Sequence, residues 1–368
     1  MPEPSPSPHA TILVCYHKFS KPIIASEILR PIIVGAANMG EEAKILQEKL
    51  ESKLPRKLRL GGGQQIALDS SGDSMDCRAL PCKARNDSSF SHCERSEAIH
   101  DSSPKAQSPV LRDDSGENIS RLNPHFCELT AMYWAWKNVD SSYYGLFHYR
   151  RVLDLSERAL KASPQPIPIT LKATQYNAND LGLSTPRIQE LLAHYDIILP
   201  QAYVDHKDNL DFSDMNVYDI YAKYHYASDL DAAIDIILER YPQMRAALES
   251  ALFTKPPKWH IANVFVMRKD LYNEYCQWLF DILFSLQNKL DISSYNPYQA
   301  RIYGFISERL LNVWLAYKKQ TSSPKILEAP LVLLHSEKPL IGWDTNSLYK
   351  RFYFFGLRLY KAPIKPKS

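Results

Sequence analysis

What this chain lacks narrows its class before any motif is read. No stretch of the 368 residues approaches the apolar length needed to span a bilayer. The opening Met1-Pro2-Glu3-Pro4-Ser5-Pro6 has neither the basic start nor the apolar core of a signal peptide, which sets a cytoplasmic location as the expectation. Strong charge of one sign is missing as well. With 44 Lys and Arg against 41 Asp and Glu, the balance of +3 is too even for wholesale nucleic-acid binding. The six cysteines show no repeated C-x-x-C spacing and no secretory context, which argues for reduced thiols rather than a disulfide framework. Cys77, Cys82 and Cys93, with His92 and His100 nearby, are too irregularly spaced to favour a zinc site over unstructured thiols. Periodic apolar residues are absent from 61 to 111, where three glycines open a Ser-, Asp-, Cys- and Pro-rich run and the triplet Asp-Ser-Ser recurs at 69, 87 and 101. This segment reads as a disordered, low-complexity insertion.

What remains is the material of an α/β protein. The 45% hydrophobic content is enough for a sizeable core in one large or two ordinary domains. Short buried strands are expected at Thr11–Tyr16, Pro31–Val34, Tyr143–Tyr149, Tyr195–Leu199, Ile261–Met267 and Ile326–Leu334. Asn123 and Pro124 start a helix that places Phe126, Leu129, Tyr133 and Trp136 on one face. Further helices are expected at Arg187–His194, from a Ser228 cap to Tyr241-Pro242, around Leu271–Leu286, and over Pro297–Lys318. Strands separated by helices imply a mainly parallel sheet, with the later helices packed around one side.

The polar chemistry concentrates in about forty residues. Asp113, Asp114, Glu117 and Asn118 surround a Gly turn and could bind a divalent cation, grip hydroxyl groups or cap the following structure. His148, Arg150 and Arg151 stand where a strand ends, the place at which α/β folds hold ligands, and guanidiniums there can fork onto phosphate oxygens. Strand alternation predicts that one of the two arginines meets the ligand. Glu128 and Glu308 are the candidate general bases, although a Glu beside Arg309 also suits an internal salt bridge. Asn263 lies in an apolar strand and needs partners, either a ligand or the backbone. After Asp344 there is no further acidic residue. Six basic residues accompany a dense aromatic group there, which suits an anionic membrane surface or a docked C-terminal helix.

Several of these runs resemble a known family. D-x-x-G-x-N-I-S at Asp113, N-P-x-x-C-E-L-T-A-x-Y-W-A-W-K-N at Asn123, G-L-x-H-Y-R-R at Gly145, the Asn263 strand, Y-C-x-W-L-F at Tyr275 and Q-x-R-x-x-G-x-x-S-E-R-L at Gln299 carry the resemblance. They are similar to bacterial glycosyltransferases of capsule and lipopolysaccharide loci, a family long catalogued as a domain of unknown function, some of whose members resemble galactofuranosyltransferases. The resemblance implies a GT-A-like nucleotide-sugar fold over residues 11–335, interrupted by 61–111 and followed by the basic aromatic tail 345–368. It implies transfer from a nucleotide sugar, UDP-linked and with galactofuranose among the candidates, to a lipid-linked or oligosaccharide acceptor, while the basic aromatic tail sets the inner face of the cytoplasmic membrane as the expected place. On this reading Glu308 and Glu128 are catalytic. His17, Asp114, Asn118, His148, Arg150 and Arg151 bind the donor, and Asn263 and Arg301 bind the sugar or acceptor. No metal ligand is assigned. His-Tyr-Arg-Arg occupies the place where such folds carry Asp-x-Asp, so cationic side chains are expected to substitute for Mg²⁺ or Mn²⁺, with a divalent cation kept open. The alternative is a non-catalytic glycan-binding or assembly protein on the same fold.

Overall fold

The computed structural model describes residues 9–59, 108–164, 167–203, 214–335, 341–345, 349–354 and 357–363. Ten strands form one sheet: β1 (Ala10–Tyr16), β2 (Leu29–Ile33), β3 (Leu111–Arg112), β4 (Tyr143–His148), β5 (Arg151–Leu153), β6 (Ile169–Lys172), β7 (Ile197–Pro200), β8 (Phe265–Arg268), β9 (Ile326–Ala329) and β10 (Leu331–His335). The order β3-β2-β1-β4 is parallel throughout. Antiparallel β8 lies against β4 and β7, and β5 turns back along β10. The helices are α1 (Ala36–Met39), α2 (Glu41–Glu51), α3 (Arg56–Arg59), α4 (Asn123–Phe126), α5 (Leu129–Asn138), α6 (Glu157–Lys161), α7 (Thr185–Leu192), α8 (Val217–Tyr224), α9 (Ala227–Arg240), α10 (Arg245–Leu252), α11 (Lys269–Lys289) and α12 (Ile302–Thr321). The expected mixed α/β architecture, mostly parallel with C-terminal helices, is what the chain forms.

Both faces of the sheet are covered, which is why its central strands read as continuous apolar runs. On β1, Leu13 and Cys15 face a core shared with α5 and the helices from α9 to α12, while Ile12, Val14 and Tyr16 face a second core with α2 and α7. Gly145 in β4 permits close strand packing, because a Cβ there would stand 2.8 Å from Ile12 Cγ1 and 3.1 Å from the Phe265 carbonyl oxygen.

Several boundaries differ from the expectations. The helix expected from Asn123 through Trp136 is two helices, broken at Cys127, whose φ of 53° lies in the left-handed region. Asn123 is no N-cap there: its amide donates to the Cys127 carbonyl at 2.7 Å and braces the break. Ser228 does not cap α9, which begins one residue earlier after Tyr226. The strand expected from Ile261 starts at Phe265, because Ala262 and Asn263 both take positive φ (78° and 47°) and cannot continue a ladder. Pro330 divides the segment expected as a single strand into β9 and β10.

The insertion expected at 61–111 is also too long at its C-terminal end. Residues 60–107, with the cysteine and histidine cluster, lie outside the described residues. Ser108 bonds Glu51 and Gln47, Val110 is fully buried, and Leu111 pairs in β3. Burying a valine contributes about 1.5–3 kcal/mol, a large part of a domain's net stability of about 5–15. A deletion of 66–105 is therefore expected to keep cooperative unfolding, and one extended through Val110 to lower the melting temperature clearly. Equal melting of the two would show that Ser108–Val110 is no anchor.

The tail forms a separate antiparallel sheet of β11 (Ile341–Thr345), β12 (Tyr349–Phe354) and β13 (Leu357–Pro363), not a docked helix. Its unit begins at Ile341, earlier than the expected boundary at 345. Among the described residues no helix is long and apolar enough to cross a membrane.

Candidate functional site

The chain runs from β1 outward to β2 and β3, then returns to the other side of β1 with β4. This reversal of strand order opens a crevice at the carboxyl ends of β1 and β4, where open α/β sheets bind ligands. A cavity of about 360 Å³ lies there, lined among others by His17 and Lys18 after β1, His148 at the end of β4, and Arg150 and Arg151. Its opposite wall carries Cys127, Glu128, Tyr298 and Arg301.

The two arginines are presented by a hairpin. His148 pairs with Arg151 across antiparallel β4 and β5, leaving Tyr149 and Arg150 as the turn. The Tyr149 N–H donates to the Cys15 carbonyl at 3.2 Å, and the Leu334 N–H donates to the Arg150 carbonyl at 2.9 Å, so both neighbouring strands hold the turn. Both arginines line the cavity. The expectation that one of them meets the ligand rests on the alternation of a single extended strand, which the chain reversal interrupts. Arg150 lies over the Tyr149 ring at 5.0 Å. Among the described residues no carboxylate forms an ion pair with Arg150 or Arg151.

This cationic crowding acts on the imidazoles. Desolvation within the cavity, then Lys18, Arg150 and Arg301, push His17 down to about 4. Burial, then Arg151, His17, Arg150 and Arg301, hold His148 well below its usual range. Both shifts favour the neutral ring. His148 Nδ1 is a buried atom without a hydrogen-bond partner among the described residues.

Glu128, immediately before α5, is the carboxylate among the lining residues. Its placement depends on the break at Cys127, because a continuous helix from Asn123 would carry residue 128 on a different heading. Gly304 in α12 makes room for the break, since a Cβ there would stand 3.2 Å from Cys127 Sγ. Arg301 Nε donates to Cys127 Sγ at 3.2 Å, yet burial and the Glu128 charge still raise the thiol to about 11. Behind Glu128, the buried Asn263 amide donates to Glu128 Oε1 at 3.0 Å and to Ser307 Oγ at 2.9 Å.

The sequence-derived residues thus divide. His17, Glu128, His148, Arg150, Arg151 and Arg301 converge on one cavity. Asn263 stands behind it and braces Glu128 instead of lining the space. Glu308 is also set back: Arg309 Nη1 stands 3.5 Å from its Oε2 and the Ala262 N–H donates to it. Burial raises its pKa, with Arg309 and Arg151 opposing. Asp114 and Asn118 lie outside the cavity. Asp114 accepts a fork from Arg112, and Asn118 closes a local turn onto the Gly116 carbonyl and the Ser120 N–H. Asp113, fully buried, accepts the Gly35 and Ala36 N–H groups at 2.8 and 3.0 Å and the Ser120 hydroxyl. Capping is therefore what this acidic turn does in the fold, fixing the loop after β2 that brings Val34 to the cavity wall. Cys127 and Tyr298 were missed as lining residues, although Cys127 adjoins Glu128 and Tyr298 precedes Arg301 by three.

The lining does not suit a resident divalent cation. Among the described residues no group of three or more His, Cys, Asp or Glu side chains could hold one. A cation beside Glu128 would also face Lys18 and three arginines.

Fold and cavity together define an α/β domain with a cationic cavity at the strand-order reversal. The chain belongs to the DUF4422 family, described as a domain of unknown function, whose model matches residues 96–320. Among solved structures it is similar to the bifunctional glycosyltransferase WbbM in its apo form, with 25% identity and a TM-score of 0.64 over 92% of this chain. It spans 47% of that protein's length. No curated protein matches it.

Proposed function

We propose that this chain is a glycosyltransferase that moves a sugar from a UDP-linked donor to a growing capsule, lipopolysaccharide or exopolysaccharide glycan, with galactofuranose among the candidate sugars. The observation that carries this reading is the cavity itself: three guanidiniums facing one braced carboxylate where β1 and β4 end. The similarity to part of a bifunctional glycosyltransferase supports it.

In this mechanism the donor diphosphate lies against Arg150, Arg151 and Arg301, whose charge offsets what develops as the bond from the anomeric carbon to phosphate oxygen breaks. The acceptor hydroxyl oxygen forms the new bond to that carbon. Its proton passes to the Glu128 carboxylate, and the electron pair of the broken bond leaves on UDP. This assigns an inverting outcome, and it moves the base from Glu308 to Glu128, the one that reaches the cavity. His17 and His148, neutral, contribute hydrogen bonds to the diphosphate or sugar.

The test is thermal stabilisation by a panel of nucleotide sugars, because a ligand held only by the folded state raises its apparent stability. It is followed by UDP release from the stabilising donor. Stabilisation without release, even with acceptor glycans present, would mark a non-catalytic glycan-binding or assembly protein. Guanidiniums take the place of a metal in this scheme, so transfer is expected to survive exhaustive chelation. Loss on chelation with recovery in Mg²⁺ or Mn²⁺ would overturn that assignment.

We place the enzyme at the cytoplasmic leaflet through its basic C-terminal unit. Each Lys or Arg near an anionic surface contributes about 1 kcal/mol. Full-length protein is expected to sediment with anionic vesicles at low salt, and a truncation after His335, which removes the whole three-stranded sheet, to stay in solution. Equal sedimentation of both would remove the membrane role.

A further inference from the structure

We infer that the tyrosine rim beside the cavity is the subsite for the sugar residues of the acceptor. This rests on the donor reading of the cavity, and it assigns a second surface that the donor reading leaves unused. Tyr298, 39% exposed, belongs both to the cavity wall and to this rim. The His225 ring, at the junction of α8 and α9, stacks on Tyr298 at 5.9 Å and 19°, and on Phe305 at 4.2 Å and 28°. On either side of His225 stand Tyr224 and Tyr226, each 46% exposed.

The rim is fixed before any ligand arrives. Gln299 donates from Nε2 to the Tyr224 carbonyl at 3.0 Å, and its Oε1 lies 3.1 Å from His225 Nδ1. The Tyr226 ring packs on Tyr295 at 4.8 Å, and the Tyr295 hydroxyl donates to buried Asp229 at 2.7 Å. Exposed rings braced by stacking, as Tyr226 and Tyr298 are, lose little freedom on binding, so contact area turns into affinity efficiently.

The chemistry of the rim selects the occupant. Aromatic faces carry negative partial charge and attract the C–H face of a sugar ring, while the phenol hydroxyls and neighbouring amides can meet its hydroxyl groups. A nucleotide diphosphate would instead seek the guanidiniums that line the cavity. Continuity through Tyr298 lets a glycan lie on the rim with its terminal sugar reaching inward, towards the wall that carries Glu128.

The experiment is saturation-transfer NMR with four probes, short oligosaccharides of galactose, glucose, mannose and rhamnose, alongside UDP binding by calorimetry. Wild-type protein is expected to saturate the ring C–H protons of at least one probe. Tyr226→Ala and the Tyr224→Ala/Tyr226→Ala pair are expected to lose that signal while UDP affinity is unchanged, and Tyr226→Phe, which keeps the ring, to retain it. Unchanged UDP affinity also shows that the variants are folded. Saturation that persists in the paired variant overturns the inference, as does failure of the wild type to saturate any probe. Loss of anionic-vesicle binding without loss of sugar contact also overturns it, by making the rim a membrane face. Failure of wild-type protein to bind UDP overturns the donor reading instead, whatever the oligosaccharides do.

Discussion

Glu128→Gln is expected to lower sugar transfer by about 10²–10⁴-fold, the usual contribution of a positioned general base, with UDP affinity intact. The substitution keeps the shape and removes the proton acceptor. Its neighbour gives the stricter test. Asn263 is buried, adopts φ 47° after another left-handed residue, and donates to Glu128 Oε1 and Ser307 Oγ. Two consecutive non-glycine residues in that region are costly, of order 1–3 kcal/mol each, and persist only where the surroundings enforce them. Asn263→Ala is expected to lower kcat with little change in donor KM, because it frees the carboxylate without touching the diphosphate site. Steady-state kinetics with a varied donor would show it. A normal rate in Glu128→Gln would remove this carboxylate from the reaction, whereas a raised donor KM in Asn263→Ala would mean that the amide supports donor binding instead.

Arg150→Ala and Arg151→Ala are each expected to cost about 2–4 kcal/mol of transition-state stabilisation, by analogy with lost oxyanion donors. Two guanidiniums on one diphosphate share a ligand, so the double substitution is expected to cost less than the sum. The kcat/KM of the three variants decides the matter. If one single variant keeps full turnover, that arginine belongs to the cavity wall and not to the diphosphate, and the hairpin presents one working cation after all.

Much of this was legible in the residues, for reasons that differ from place to place. The doubly covered strands β1 and β4 announce themselves because each face buries alternate side chains, leaving unbroken apolar runs. That the cluster from His148 to Arg151 stands at the carboxyl end of the sheet, where the cavity opens, was legible because its position follows from the strand. What failed was anything set by a single backbone reversal. The left-handed Cys127, the hairpin at Tyr149-Arg150 and the left-handed Ala262-Asn263 pair leave no periodic trace, yet they decide which carboxylate reaches the cavity and how many arginines do. The acidic turn misled for a different reason. Asp113 to Asn118 carries the oxygens a ligand site would need, but Asp113 is taken by backbone N–H groups 77 and 78 residues away, which no local pattern reveals, and Asp114 by Arg112 two residues before it.

The attachment points of residues 60–107 have a practical meaning. Ser108 bonds Glu51 at the end of α2, and the chain then enters β3, an edge strand parallel to β2. It therefore joins the sheet at the amino ends of the strands, whereas the cavity opens at their carboxyl ends. A fluorescent protein or affinity module grafted between Arg59 and Ser108 would sit on the opposite pole from the cavity, giving a way to image or immobilise the molecule while the cavity stays clear.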